Sequence, residues 1–171
     1  MGRATRRLTR PSQRKHRMQL SDFVDFDAIN TRLSAGNKRS LLQQLANSAA
    51  QRLSADPAEV LASVTEREQL GSTGFGQGVA IPHGKIESLG RIYGLFARLA
   101  EPIDYKAIDG RPVDLVFLLL SPANAGAEHL KALAAISRVT RNEPTLEKIR
   151  GARSRDALAA VLMGADERDA A

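Results

Sequence analysis

Apolar positions along the chain fall into two alternating rhythms. Leu41, Leu42, Leu45, Ala46 and Ala49 recur at helical spacing and predict a helix over 36–53. A second helix is expected over 57–69, with Asp56 as its cap and Pro57 in the first turn. The pattern then breaks at Gly71-Ser72-Thr73-Gly74-Phe75-Gly76-Gln77-Gly78, which reads as a loop with unusual backbone angles. Val79-Ala80-Ile81 follows as a short strand that Pro82 ends, since proline cannot donate to a sheet ladder.

Residues 92–99 read as the next strand, with Tyr93, Leu95, Ala97 and Leu99 on one face. The turn-rich stretch 101–112 contains the hairpin signal Asp109-Gly110. Residues 113–120 are apolar on both faces, as in a central strand covered by helices. A helix over 126–141 should bury Leu130, Leu133, Ala134 and Ser137 as its stripe. Pro144 opens a short helix, and Ser154 caps a last one that runs through Met163. Helices, then strands, then helices imply an α/β fold: a mixed β-sheet flanked by helices on both faces, in a single domain.

Charge divides the chain. The formal net charge is +6, yet residues 1–17 hold seven basic side chains and no acidic one, which leaves 18 basic against 19 acidic in the rest. The expected organisation is therefore a basic, disordered tail over 1–17, a domain over 18–165 and a short C-terminal tail over 166–171. The basic tail reads as a disordered leader, as residues ahead of a true start at Met18, or as an arm for nucleic acid or an anionic surface. It carries no aromatic residue to stack on bases, so a nucleic-acid partner is not expected. No apolar run follows it as in a signal peptide, and no segment has the length of a membrane span, so a cytoplasmic protein without membrane insertion is expected. Cysteine is absent, which excludes disulfides, thiolate metal sites and cysteine nucleophiles.

Of three histidines, His16 lies in the tail. His83 follows Pro82 and precedes Gly84, just after the glycine loop, so small neighbours leave its imidazole approachable. His129 lies near the start of a predicted helix, where unpaired N–H groups favour an anion and disfavour a protonated imidazole. Arg67 ends the second helix and offers a planar fork of donors suited to phosphate oxygens. Each has a plainer reading, as a turn histidine, a first-turn polar residue and a solvated helix end. The loop matches neither a Walker motif nor a dinucleotide fingerprint: Ile86 follows Gly84-Lys85, and a strand, not a helix, follows Gly78.

Taken in order, Arg67-Glu68, the loop from Gly71 to Gly76, and Gly78-Val79-Ala80-Ile81-Pro82-His83-Gly84 closely resemble the IIA components of the bacterial phosphotransferase system. The likeness is to the fructose/mannitol group and, within it, the nitrogen-regulatory branch, IIA-Ntr. Ala107-Ile108-Asp109, Pro112-Val113-Asp114-Leu115 and His129-Leu130 fit the same pattern. The resemblance implies a phosphotransferase component that forms a phosphohistidine on His83, with His129 and Arg67 at the phosphoryl group and Ser72, Thr73 and Gly74 as candidate loop contacts. It implies an HPr-like phosphocarrier protein as donor, regulatory target proteins as partners, and no cofactor or metal. The alternative is a sugar-specific component that passes phosphate to a fructose/mannitol-type permease. Such a chain continues through a cysteine-bearing domain, which would have to be a separate protein here.

Overall fold

The computed structural model describes residues 17–169. The basic segment up to His16 lies outside the described residues. The first described elements are two 3-10 turns, Leu20–Asp22 and Phe26–Ala28, which the helical and strand periodicities did not signal. A four-residue strand, β1 (Asn30–Leu33), was also missed, because four residues are too few to show a period. Then come α1 (Lys38–Leu53) and α2 (Pro57–Gln69). Asn37 accepts from the Ser40 N–H at 2.8 Å and Asp56 from the Ala58 N–H at 3.0 Å, so both helices start on a side-chain cap.

The expected glycine loop is partly sheet. It contains β2 (Gly74–Gly76), which pairs antiparallel with β3 (Val79–Ala80). The two are joined by a tight turn with Gln77 at φ 59° and Gly78 at φ 78°, the left-handed conformation that the glycine accepts without strain. The ladder is interrupted at Ile81-Pro82 and resumes as β4 (His83–Ile86). Both β3 and β4 run parallel to β6 (Val113–Pro122) along the same edge, so they form one strand broken by proline. His83 therefore opens a new strand where the sequence pointed to the end of one.

β5 (Tyr93–Ile103) pairs antiparallel with β6 and parallel with β1, giving a six-stranded mixed sheet in the order β1-β5-β6-β3-β2, with β4 also on β6. The helices α3 (Gly126–Thr140), α4 (Glu143–Gly151) and α5 (Arg155–Asp169) complete the described residues. The last of these runs past the boundary expected at residue 165.

Alternation along β6 decides the layering. Val116, Leu118 and Leu120 join the core with Leu41, Leu45 and Ala49 of α1 and with Val60 and Val64 of α2. Leu115, Phe117 and Leu119 face the opposite core, with Ile136 of α3, Leu146 and Ile149 of α4 and Leu158 and Leu162 of α5. Both faces of the central strand are buried, as its unbroken apolar run requires. The expected stripe of α3 is corrected: His129, Ala132, Ala135, Ile136 and Val139 are buried, while Leu130 and Ala134 are exposed. The helix is turned so that a histidine, and not a leucine, points inward near its start.

Candidate functional site: two buried imidazoles and an arginine

The site forms where α2 lies across β4. A Cβ on Gly84 would collide with Ser63 of α2, so the helix backbone approaches this strand only because residue 84 has no side chain. Ser63 uses the closeness. Its hydroxyl donates to the Lys85 carbonyl and accepts from the Lys85 N–H, both at 2.9 Å, stapling helix to strand. One helical turn further on, Arg67 comes over His83, and its Nε–H donates to His83 Nε2 at 3.2 Å. Arg67 Nη1 also donates to the Gly71 carbonyl at 2.9 Å, tying the side chain to the start of the loop.

The His83 Nδ1–H donates to the Ile81 carbonyl at 2.8 Å, a contact made possible by the break in the strand. Because Arg67 can only donate, Nε2 is the acceptor and the proton is on Nδ1. Burial, and then the positive charge of Arg67, hold the His83 pKa below its ordinary 6.5, against the upward pull of the Ile81 carbonyl and Glu68. The ring is therefore neutral at pH 7, with its lone pair on Nε2.

His129 lies across from it, with ring centroids 5.4 Å apart. Its pKa is also lowered, first by burial and then by His83 and Lys85. Its Nδ1 is 2.6 Å from the hydroxyl of Ser121, a fully buried residue near the end of β6. Three of the sequence-predicted residues, His83, His129 and Arg67, are thus brought together.

The loop candidates divide differently. Thr73 is fully buried, and both its N–H and its hydroxyl donate to the Glu68 carboxylate, so it faces the interior and not an approaching group. The Ser72 hydroxyl accepts from the Gly74 N–H at 3.1 Å, an internal bond of the loop. Glu68 anchors a wider network: it also accepts from Lys38 Nζ at 2.8 Å and from the buried Tyr105 hydroxyl at 3.2 Å. Burial pushes its carboxyl upward, but the bonds from Lys38 and Thr73 outweigh this and keep it below the usual range. The network braces the helix turn that carries Arg67. Sequence reasoning missed Lys38, Ser63, Tyr105 and Ser121. Only Ser121 left a trace, as the polar residue after an apolar strand run.

Residues 22–164 match the sequence profile of a family described as the phosphoenolpyruvate-dependent sugar phosphotransferase system, EIIA 2. The chain belongs to this EIIA family. A nitrogen regulatory protein of Bradyrhizobium diazoefficiens is 48% identical over 145 residues, covering 85% of this chain and 95% of the relative. The fructose-specific EIIA component of Haloferax volcanii is 40% identical over 102 residues, covering 60% of this chain and 66% of the relative. Among solved structures, the nitrogen regulatory protein IIA-Ntr of Neisseria meningitidis superposes with a TM-score of 0.79 at 34% identity, covering 84% of this chain and 98% of that one. The mixed sheet between helical layers is thus the fold of an EIIA protein, and the nitrogen-regulatory branch is the one it resembles over most of its length. Among the described residues, no helix is long and apolar enough to cross a membrane.

Proposed function

We propose that this EIIA protein accepts a phosphoryl group on His83 Nε2 from an HPr-like phosphocarrier and acts in the cytoplasm as a nitrogen-linked regulatory protein. The observation that carries the reading is the neutral His83 ring: its Nδ1–H bonds to the Ile81 carbonyl, which leaves the Nε2 lone pair for attack beside Arg67 and His129. In the transfer, the N–P bond of the donor's phosphohistidine breaks as a bond from His83 Nε2 to phosphorus forms. The donor imidazole keeps the released electron pair. The His83 ring gains positive charge while retaining its Nδ1 proton, and its bond to the Ile81 carbonyl strengthens as it does. Charge spreads over the phosphoryl oxygens in a loose transition state, where Arg67 and a neutral His129 supply donors.

The surroundings favour a protein as donor. Leu70, Phe75, Ile108 and Leu130 are four of the five large hydrophobic residues exposed among the described residues. They lie on segments that carry the site: beside Gly71, within β2, hydrogen-bonded to Gly74, and next to His129. Exposed apolar side chains on the segments that carry a buried nucleophile suit docking of another protein better than free access by a small phosphate ester.

A second reading, transfer onward to a separate sugar permease of the fructose type, is favoured by the 40% identity to a fructose-specific EIIA component. Incubation with an HPr-like donor and its phosphoenolpyruvate-driven kinase tests the common step. One phosphate, acid-labile and base-stable, is expected on His83 when mapped by mass spectrometry under non-acidic conditions. A His83→Ala protein that still takes up one equivalent overturns the assignment. Nitrogen-dependent phenotypes against sugar uptake in a deletion strain then separate the two readings.

A further inference from the structure

We infer that Ser121 is a positioning residue for phosphoryl transfer, acting by fixing the proton of His129 on Nε2. The inference rests on the functional reading above and extends it to a residue with no role in that chemistry of its own.

The argument is one of hydrogen-bond accounting. Ser121 is fully buried, and the partner of its hydroxyl is His129 Nδ1 at 2.6 Å. A hydroxyl carries one proton, and a buried proton without an acceptor is costly. If His129 Nδ1 held a proton and donated it to Ser121, the serine's own O–H would be left inside the protein with no acceptor among the described residues. If the serine donates to an unprotonated Nδ1, both groups are satisfied. The second arrangement is therefore the stable one, and in a neutral imidazole it places the proton on Nε2.

The rest of the ring agrees. Every buried side-chain nitrogen and oxygen among the described residues has a partner. No group of the described residues bonds His129 Nε2, so that atom is not sealed inside the protein and can meet an incoming group. Burial and the neighbouring His83 and Lys85 disfavour a second proton on the ring. His129 thus presents one N–H, and a phosphoryl group bound at His83 lies within reach of it, the rings being 5.4 Å apart. Without Ser121 the ring could take either tautomer. In the wrong one, Nε2 presents a lone pair to phosphoryl oxygens and repels them. Ser121 lies in β6 opposite Lys85 of β4, two residues beyond His83, so the positioning group is built into the same pair of strands as the nucleophile.

The test uses the full chain in two measurements. Imidazole nitrogen shifts by NMR, which need no phosphorylation, are expected to show His129 protonated on Nε2 in the wild type. In Ser121→Ala they should move toward a tautomer mixture, and in Ser121→Thr, which keeps the hydroxyl, they should stay near the wild type. Loss of a partner that orients a metal-ligating histidine typically costs about 10- to 100-fold, and a loss of the same order is expected for one that orients a phosphoryl-binding histidine. Phosphoryl transfer from the donor should slow by that factor in Ser121→Ala and recover in Ser121→Thr. In a His129→Ala background, Ser121→Ala should change the rate by less than about twofold, because its effect passes through His129. A wild-type His129 protonated on Nδ1 overturns the inference. So does an unchanged tautomer in Ser121→Ala, or a full rate loss that persists without His129. Failure of the functional reading looks different: no phosphate appears on His83, whatever the tautomer of His129.

Discussion

Substituting Gly84 with alanine tests how the site is assembled, because the added atom touches no reacting group. The backbone of Gly84 is not in the left-handed region, so alanine fits its conformation. The penalty is one of approach. The new Cβ would overlap the Ser63 hydroxyl and lie 3.1 Å from both the Cβ and the carbonyl carbon of Ser63. A serine rotamer change relieves the first contact but not the other two, so α2 must lift away from β4. Overpacking of this kind costs about 1–3 kcal/mol. Lifting also stretches the two 2.9 Å bonds between Ser63 and Lys85, each worth about 0.5–1.5 kcal/mol. The expected loss, with both bonds gone, is about 2–6 kcal/mol in urea unfolding, with an unchanged slope. Arg67 sits one turn beyond Ser63 and moves with the helix, and its 3.2 Å contact with His83 lengthens. Misplacement of a positioning group by about 1 Å can cost 100-fold in rate, so phosphorylation should slow by about 10- to 100-fold. Wild-type stability together with a wild-type rate would refute the claim that close packing at Gly84 aims Arg67.

Three further outcomes follow. Arg67→Ala should slow phosphoryl transfer by about 100- to 1000-fold without abolishing it, measured by mass shift over time, since losing one charge-stabilising donor costs about that much; a change under threefold would remove Arg67 from the site. Both imidazoles have folded pKa values below their ordinary 6.5, so the unfolded chain binds more protons and stability falls as pH drops from about 6.5 through the folded values. Glu68 and Asp25, held below 4.5 and 3.8, titrate beneath that window, so the melting midpoint should fall between pH 7 and 5.5 and fall less in a His83→Gln, His129→Gln double variant; a flat profile in the wild type contradicts the assignment. A chain starting at Met18 should melt and accept phosphate as the full chain does, because Met18 is the first of the described residues packed on the core and its carbonyl accepts from Arg138 at 2.7 Å; a midpoint several degrees lower would show that the preceding segment is built into the domain.

What the sequence made legible was local. The spacing of Leu41, Leu42 and Leu45, the caps at Asp56 and Ser154, and the apolar run of β6 each depend on residues within a few positions of one another. Pro82-His83-Gly84 was readable as a strand interruption with an approachable imidazole, although the strand resumes where it was expected to end. The rotation of α3 was not readable. Leu130 and Leu133 suggested the buried face, but the helix instead buries His129 and leaves Leu130 exposed. Hydrophobic periodicity assumes that apolar groups seek the core, and it fails where a surface has to remain apolar for a partner or an imidazole has to be buried. The Glu68 network escaped for another reason. Lys38, Glu68, Thr73 and Tyr105 come from separate elements, and nothing in their spacing announces that they meet.

The resting contact between Arg67 and His83 places a demand on the proposed chemistry. The guanidinium donates to the same Nε2 lone pair that must attack phosphorus, so it has to leave that position as the donor docks. Its other anchor makes this feasible. Nη1 holds the Gly71 carbonyl at 2.9 Å, so rotation about the side chain can turn Nε away while the charge stays within the site. In the resting state burial lowers the His83 pKa and the same cation adds to it, so both keep the ring unprotonated. Once the phosphoryl group arrives, its oxygens offer the guanidinium a stronger, charged acceptor than the neutral ring nitrogen. On the proposed chemistry the exchange of acceptor would run downhill, and one arginine would first protect the lone pair and then stabilise the charge it attracts. Lysine cannot make the exchange in the same way, since it lacks the fork that holds Gly71 with one nitrogen while another changes partner.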